Sequence, residues 1–284
     1  MPTSSIKITF PNGTLRQPAT DDGRSVVFYD IDNCLYSKDA GVDGLMRDKI
    51  EQYFEKLGLP IDEAKQLRYR YYTEYGLAIR GLVRHHQVDP LDYDRQCDAA
   101  LPLETVLKPS NEMKQLLKDI DRTKFRVWAL TNAYYNHATR VLKLLELEEY
   151  FEGVVSCDYG AKEFSCKPEE PYFNQAVEAC GQFDVSKLYF VDDSALNIRG
   201  ANSLGWGHCV LFDEHGDQKQ KLYGIDEPDE SETQIHRIGS SESEQDDRRR
   251  GQVSVIGSMQ ELRRVWQEMF QSQSNGINGH YSQL

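Results

Sequence analysis

Short apolar runs alternate with helical patterns along most of the chain, and this alternation constrains the fold more than any other feature. Runs typical of buried strands occupy residues 25–30, 125–130, 154–157, 188–191 and 208–212. Each of the first four runs is followed by a segment whose apolar residues have helical spacing. Strands that alternate with helices in this way form parallel sheets covered by helices on both faces. The pattern therefore predicts an α/β fold, a doubly wound parallel sheet with a Rossmann-like core.

The remaining segments differ in composition from this core. Between Val42 and Leu57 the apolar residues have helical spacing, and the helical character continues to about residue 100 without a strand pattern. Residues 225–250 contain nine acidic residues and almost no large apolar one, a composition typical of disorder. The predicted organisation is a flexible leader over 1–24, an α/β core formed by 25–39 and 106–224, a helical cap over 40–105, a disordered acidic loop over 225–250, a final core strand and helix over 251–270, and a polar tail over 271–284.

The charge balance excludes several classes of partner. The chain has 33 basic and 46 acidic residues, for a formal net charge of -13. This balance argues against binding to the nucleic-acid backbone or to an anionic membrane, since both depend on Lys and Arg. No apolar stretch reaches the roughly 18 to 20 residues that span a bilayer, and no secretory signal is recognisable. The six cysteines are scattered without a C-x-x-C pair, so we expect reduced thiols in a cytoplasmic or nuclear protein.

Two acidic pairs directly follow predicted strands. Asp30 and Asp32 follow the first strand, and their side chains point the same way if the backbone is extended. Asp192 and Asp193 follow the fourth, and the C-terminal ends of parallel strands lie at one edge of the sheet. Such acids are often only solvated turn residues or helix caps. If all four converge, their repulsion favours a bound cation, and an oxygen-rich site suits Mg²⁺.

Two further polar segments occupy comparable positions. Thr131 and Asn132 follow the second strand, where a hydroxyl, an amide and backbone N–H groups can bind phosphate oxygens. As isolated features they equally fit an ordinary helix cap. Lys167 lies in a Cys-Lys-Pro loop and is either a surface lysine or the cation that lets an anionic substrate approach a carboxylate nucleophile.

Taken together, the order Asp-x-Asp, Thr-Asn, Lys-Pro, Asp-Asp resembles the haloacid dehalogenase superfamily over about residues 25 to 213. The resemblance implies that Asp30 is the nucleophile that becomes an aspartyl-phosphate, and that Asp32 is the general acid and then the general base. Dehalogenating members lack the second acid, because a halide leaves without a proton. Its presence at Asp32 therefore favours a phosphatase.

The same resemblance assigns the remaining residues of the site. Thr131, with Asn132, and Lys167 would bind the phosphoryl group. Mg²⁺ would be held by the Asp30 carboxylate, the Asp32 backbone carbonyl and Asp193, with Asp192 as a direct or indirect partner. Cys34 stands where Thr or Val is most common in the superfamily, and we interpret it as a packing residue.

The length of the first insertion predicts a lid over the site. Roughly 100 residues separate Asp30 from Thr131, against about 30 for a simple βαβ unit. In the superfamily, such an insertion is a helical cap that closes over the substrate. A cap excludes water during the reaction and favours a small substrate over a folded protein.

Several segments resemble more narrowly the pyrimidine 5'-nucleotidase branch of fungi and plants, namely 30–36, 75–81, 101–104, 131–138, 166–168 and 191–197. This resemblance implies hydrolysis of UMP and CMP, and within the cap Tyr75 and Arg80 are the residues expected to contact substrate. Relatives act on lysophosphatidate or other small phosphomonoesters, so a phosphatase for such a compound or a sugar phosphate is one alternative. A catalytically idle nucleotide- or partner-binding relative is another. We expect a monomer or homodimer.

Overall fold

A seven-stranded sheet forms the centre of the computed structural model, which describes residues 6–10, 13–218 and 252–271. Its strand order is β1-β4-β3-β2-β5-β6-β7. Only β1 runs antiparallel to its neighbour; the other neighbours are parallel. The strands are β1 (Ile6–Thr9), β2 (Ser25–Tyr29), β3 (Phe125–Tyr134), β4 (Gly153–Cys157), β5 (Leu188–Asp192), β6 (His208–Phe212) and β7 (Gln252–Ile256). The predicted doubly wound α/β fold is confirmed.

Helices cover the sheet and form the insertion that follows β2. They are α1 (Val42–Lys56), α2 (Ile61–Tyr75), α3 (Ala78–His86), α4 (Pro90–Gln96), α5 (Leu103–Val106), α6 (Asn111–Lys118), α7 (Tyr135–Leu144), α8 (Glu170–Cys180), α9 (Ala195–Ser203) and α10 (Leu262–Val265). Helices α1 to α5 all lie between β2 and α6, where the sequence predicts a helical cap. In the part of the chain that the structure describes, no helix is long and apolar enough to cross a bilayer.

The central strands of the sheet are mostly apolar and are buried on both faces. Along β2, Val26 and Phe28 belong to one apolar cluster, and Val27 and Tyr29 belong to a second. Consecutive strand residues point to opposite faces, so the two clusters lie on the two sides of the sheet. Burial on both sides is typical of parallel strands covered by crossover helices.

Close packing joins the helices of the cap to one another. Gly81 of α3 lies against the ring of Tyr71 in α2, and a Cβ atom at Gly81 would lie 2.0 Å from Tyr71 Cγ. Phe54, Tyr71 and Leu82 of the cap share an apolar cluster with Tyr159 of the core. Cap and core therefore meet through a buried apolar interface.

The N-terminal segment differs from the flexible leader that we expected over residues 1–24. Ile6–Thr9 pairs with β4 at one edge of the sheet, and the Ala19 N–H donates to the carbonyl oxygen of Ala179 at 2.8 Å. The alternation of apolar and polar residues from Ile6 to Phe10 is the sequence signal for this strand. The predicted acidic loop over 225–250 and all but the first residue of the predicted tail over 271–284 lie outside the described residues.

Candidate active site

The register of the central strands brings three polar side chains to one edge of the sheet. Tyr29, the last residue of β2, pairs with Ala129 of β3 and with Val191 of β5. Asp30 directly follows β2, Asp192 ends β5, and Thr131 lies within β3 two residues beyond Ala129, so the three are at nearly the same level. This edge is the C-terminal one, where open α/β sheets bind ligands.

Lys167 lies between two of the predicted acids. Its Nζ is 2.9 Å from Oδ1 of Asp30 and 2.6 Å from Oδ2 of Asp192, and it donates to the carbonyl oxygen of Leu130 at 2.8 Å. The residue is 1% exposed. Burial alone would lower the pKa of this ammonium group, but the Asp192 and Asp30 carboxylates raise it above its ordinary value. Lys167 is therefore a fully charged, buried cation beside the predicted nucleophile.

The loop that carries Lys167 is fixed by Asn132 and by the cap. The side-chain amide of Asn132 donates to the Lys167 carbonyl oxygen at 2.9 Å, and its Oδ1 accepts from the Lys167 N–H at 2.7 Å. Asn132, predicted as a phosphate-binding residue, thus directs both polar side-chain atoms to the loop. On the cap side, Gly76 contacts the same loop so closely that a Cβ atom there would lie 2.4 Å from the Lys167 carbonyl oxygen.

Thr131 keeps a hydroxyl available at the predicted phosphate position. It is 1% exposed, and its hydroxyl accepts from the Ala133 N–H at 3.0 Å. A hydroxyl that accepts one hydrogen bond still has its own proton to donate. Thr131 also lines the cavity that contains Asp30 and Lys167.

Asp32 is hydrogen-bonded by two side chains, Tyr36 and His137, to which no role was assigned from the sequence. The hydroxyl of Tyr36 donates to Asp32 Oδ1 at 2.7 Å, and Nε2 of His137 donates to the same oxygen at 2.8 Å. Although burial raises the pKa of Asp32, His137 and Tyr36 favour its ionised form, and the net pKa is lowered. Burial lowers the pKa of His137, but Asp32 and Asp98 raise it to about 9.

His137 lies in the segment 131–138 that resembles the nucleotidase branch, but no role of its own was assigned to it from the sequence. A single histidine on a helix is usually a packing residue, so its hydrogen bond to Asp32 became visible only in the fold. Nε2 of His137 contacts one oxygen of Asp32, which leaves the second oxygen free of that contact. Both residues line the same cavity as Asp30.

A candidate cation site lies beside Asp30. One ligand atom each from Asp30, Cys34 and Asp193 lies within 4.8 Å of the others. Burial raises the pKa of Asp193 to about 7, with a further contribution from Asp192, and burial also raises the pKa of Asp30 well above its usual range. Crowded carboxylates of this kind fit a divalent cation.

Cys34 and Asp192 fit a cation less well than Asp30 and Asp193 do. Burial and the nearby acids raise the pKa of the Cys34 thiol, and a protonated thiol is not a ligand for a hard cation. Asp192 directs Oδ2 to Lys167, while Oδ1 accepts from the Ser194 N–H at 2.8 Å and from the Asn197 amide at 3.0 Å. Both oxygens of Asp192 therefore already contact hydrogen-bond donors of the protein, Nζ of Lys167 among them.

A cavity of about 450 Å³ connects these groups to the cap. Its core wall includes Asp30, Asp32, Thr131, Lys167 and Asp193. Its cap wall includes apolar, aromatic and cationic residues, namely Met46, Arg47, Ile50, Arg68, Tyr72, Leu77, Ala78 and Tyr93. The space beneath the cap therefore joins a highly polar end to a more apolar one.

The composition of this site agrees with the family to which the sequence is similar. A model described as haloacid dehalogenase-like hydrolase matches residues 25–205. The chain belongs to the haloacid dehalogenase-like hydrolase family. Phosphate metabolism protein 8 of Saccharomyces cerevisiae is 34% identical over 239 residues, which cover 81% of this chain and 74% of the yeast protein. Membership makes the chain a hydrolase, and its second acid after β2 places it with the phosphatases of the family.

Two solved structures have a similar fold. A protein from Clostridium acetobutylicum described as a predicted phosphatase aligns with a TM-score of 0.58 and 14% identity, over 86% of this chain and 99% of its own. The hydrolase YfnB of Bacillus subtilis, whose structure is bound to magnesium, aligns with a TM-score of 0.50 and 15% identity, again over 86% and 99%. At these identities the likeness concerns the fold alone.

Within this hydrolase, the structure places the two predicted cap residues outside the walls of the cavity. The guanidinium group of Arg80 donates to both carboxylate oxygens of Glu169, at 2.7 and 3.1 Å. The hydroxyl of Tyr75 is 2.9 Å from Nε2 of His85. Arg80 therefore connects the cap to the start of α8, and Tyr75 packs within the cap. Tyr72, one helical turn before Gly76, lines the cavity instead.

Proposed function

We propose that this hydrolase cleaves small phosphate monoesters through an aspartyl-phosphate formed on Asp30, with Mg²⁺ as cofactor. The observation that carries the proposal is that two carboxylates with different hydrogen-bond and ion-pair partners line one cavity. Asp30 contacts the buried cation Lys167, and Asp32 shares a proton with His137. A nucleophile and a separate acid/base are what phosphomonoester hydrolysis requires.

The contacts of Asp30 define which of its oxygens attacks. Oδ1 accepts from the Ile31 N–H at 2.8 Å and lies 2.9 Å from Nζ of Lys167, so Oδ2 is the oxygen available for the reaction. Oδ2 forms a bond to phosphorus while the bond from phosphorus to the ester oxygen breaks. Nζ of Lys167 and the hydroxyl of Thr131 then stabilise charge on the phosphoryl oxygens.

Asp32 moves the protons in both halves of the reaction. It gives a proton to the departing ester oxygen, which would otherwise leave as a poorly stabilised alkoxide. It then takes a proton from the water that attacks phosphorus, which releases phosphate and restores the Asp30 carboxylate. Because one proton is shared between Asp32 and Nε2 of His137, the same carboxyl group can serve as acid and as base.

The donor set near Asp30 fits Mg²⁺. Asp30 and Asp193 would supply carboxylate oxygens, and the backbone carbonyl of Asp32 is a further predicted ligand. When bound, the cation would neutralise charge on the phosphoryl group and on the two acids. Lys38, whose Nζ is 3.4 Å from Oδ2 of Asp193, balances part of that charge in the structure described here.

We further propose that the preferred substrates are the pyrimidine nucleotides UMP and CMP. The support is the resemblance of residues 30–36 and 131–138 to the nucleotidase branch, together with the size and composition of the cavity. Its volume of about 450 Å³ lies within the range of small-molecule sites. Buried tyrosines in its wall, Tyr93 and Tyr159, provide flat surfaces suited to a base.

The proposal is tested by measuring phosphate release with Mg²⁺ from UMP, CMP, AMP, GMP, sugar phosphates and lysophosphatidate. We expect UMP and CMP to have the highest kcat/KM and EDTA to abolish turnover. Equal rates on every compound would refute the nucleotide preference, and full activity in EDTA would refute the metal requirement. Preference for lysophosphatidate or a sugar phosphate would assign the same chemistry to another substrate.

Two variants test the reaction itself. Asp30→Asn removes the nucleophile and is expected to abolish turnover while nucleotide binding persists. Asp39→Asn is the matched control, because this exposed acid lies in the same segment but outside the cavity. Wild-type turnover by Asp30→Asn would refute an aspartyl-phosphate on Asp30, and binding without turnover by the wild type would indicate a catalytically idle relative.

A further inference from the structure

Two buried acids, Asp94 and Asp98, lie four residues apart at the end of the cap. Asp94 in α4 is 5% exposed, and Asp98 just after that helix is 4% exposed. The side chain of Asn136 hydrogen-bonds to Asp94, whose Oδ1 has no partner, whereas no donor within the described ranges hydrogen-bonds to either oxygen of the Asp98 carboxylate. Asp98 lines the active-site cavity and Asp94 does not. Buried polar groups are normally paired, but the carboxylate of Asp98 is an acceptor without a protein partner. A group of the substrate could supply the missing donor.

The surroundings of Asp98 place it on the leaving-group side of the cavity. Its electrostatic neighbours are His137, Asp94 and Asp32, which is the residue that protonates the departing oxygen. The two buried tyrosines of the cavity wall, Tyr93 and Tyr159, also interact electrostatically with it. A substrate whose phosphorus lies at Asp30 and whose ester oxygen lies at Asp32 would extend toward this group.

We propose that Asp98 determines specificity by accepting a hydrogen bond from an O–H or N–H group of the leaving alcohol. This inference rests on the proposed phosphomonoesterase function and adds a substrate class to it, namely esters whose alcohol carries a hydrogen-bond donor beyond the ester oxygen. For a pyrimidine nucleotide, that donor is either a ribose hydroxyl or an N–H group on the edge of the base. An alcohol without such a donor would leave the buried carboxylate unpaired, which disfavours its binding.

The test compares Asp98→Asn with Asp94→Asn on two substrates, UMP and phenyl phosphate. UMP carries donors on its leaving group, and phenyl phosphate carries none. We expect Asp98→Asn to lower kcat/KM for UMP by about 10- to 100-fold, the range for a hydrogen bond to a charged group. For phenyl phosphate, and for Asp94→Asn on either substrate, changes should stay within about threefold. Equal losses on both substrates, no loss on UMP, or the same selective loss in Asp94→Asn would overturn the proposal.

Substrate analogues identify the donor without any change to the protein. The wild type is assayed on UMP, on 2',3'-dideoxy-UMP and on 3-methyl-UMP, which lacks the imide N–H. We expect a loss of about tenfold or more for one analogue, and that analogue should show no further loss in Asp98→Asn. Equal kcat/KM on all three would overturn the proposal even if the variant did not fold.

Failure of the proposed function would be visible separately. If the wild type hydrolyses other phosphomonoesters but no nucleotide, glycerol 3-phosphate replaces UMP in the comparison. The loss of kcat/KM caused by Asp98→Asn is then measured on glycerol 3-phosphate and on phenyl phosphate. If no phosphomonoester is hydrolysed, the proposed function fails, and calorimetric titration of both proteins with uridine decides the question. Weaker uridine binding to Asp98→Asn would support the role of Asp98, and indistinguishable heats would refute it.

Discussion

Lys167 gives the sharpest test of the site, because one buried cation neutralises two buried acids. In Lys167→Met, a side chain of similar length replaces the ammonium group, and Asp30 and Asp192 lose contacts of 2.9 and 2.6 Å. Removing one partner from a buried ion pair costs about 3–5 kcal/mol. That is a large part of the roughly 5–15 kcal/mol by which proteins are stable. We expect this loss in the free energy of unfolding at pH 8, and about 10²- to 10³-fold lower kcat.

The assay is urea unfolding with and without Mg²⁺, together with phosphate release. Lys162→Met is the matched control, because this exposed lysine precedes the same loop and should change stability by less than about 0.5 kcal/mol. The double variant Lys167→Met with Asp192→Asn should recover part of the loss, since it removes one of the unpaired acids. A loss below about 1 kcal/mol in the single variant, or simple additivity in the double variant, would refute the reasoning.

Three further predictions concern the acid/base, the cap and pH. His137→Ala should lower kcat for alkyl phosphates about 10- to 100-fold more than for aryl phosphates with acidic phenols. The reason is that an alkoxide leaving group depends strongly on the proton from Asp32, whereas an acidic phenol does not. An equal loss of kcat on both kinds of ester would leave His137 a purely structural role. Gly76→Ala should reduce activity and stability more than Gly58→Ala. Both glycines have positive φ, but of the two only Gly76 contacts the loop that carries Lys167. Similar urea midpoints for the two variants would contradict this prediction. Burial raises the pKa of Asp98 to about 7 from an ordinary value near 3.8, so the folded state holds this proton more tightly and loses stability as pH rises between those values. Asp98→Asn should therefore unfold at higher urea than the wild type at pH 8 and at a similar concentration at pH 4.

The predicted strands are found because the signals for them are local. The run 188–191 is apolar throughout and the run 125–130 is apolar except for Arg126, and this composition fits strands that are buried on both faces. The acids at their ends could be placed on one edge for the same reason, since parallel strands carry their C-terminal ends to the same side. The short strand Ile6–Thr9 was missed because its weak alternation lies in a polar segment.

The roles of individual side chains were harder to predict because they depend on contacts between distant segments. Asn132 was expected to bind phosphate, but both of its polar side-chain atoms contact the backbone of Lys167. Arg80 was expected to contact substrate, but its guanidinium group pairs with Glu169. In each case the residue type was informative, and its partner was set by how the cap packs on the core.

The sequence by itself determined the parallel α/β core, the inserted cap and the polar residues at the edge of the sheet. It could do so because strand burial and strand direction follow from patterns within a few residues. Only the tertiary structure decided that His137 holds Asp32, that Lys167 lies between Asp30 and Asp192, and that Asp98 faces the cavity without a partner. The contacts of His137 and Lys167 join residues that are between 25 and 137 positions apart in the sequence. Strand register and the packing of the cap determine such contacts, and no local sequence pattern encodes them.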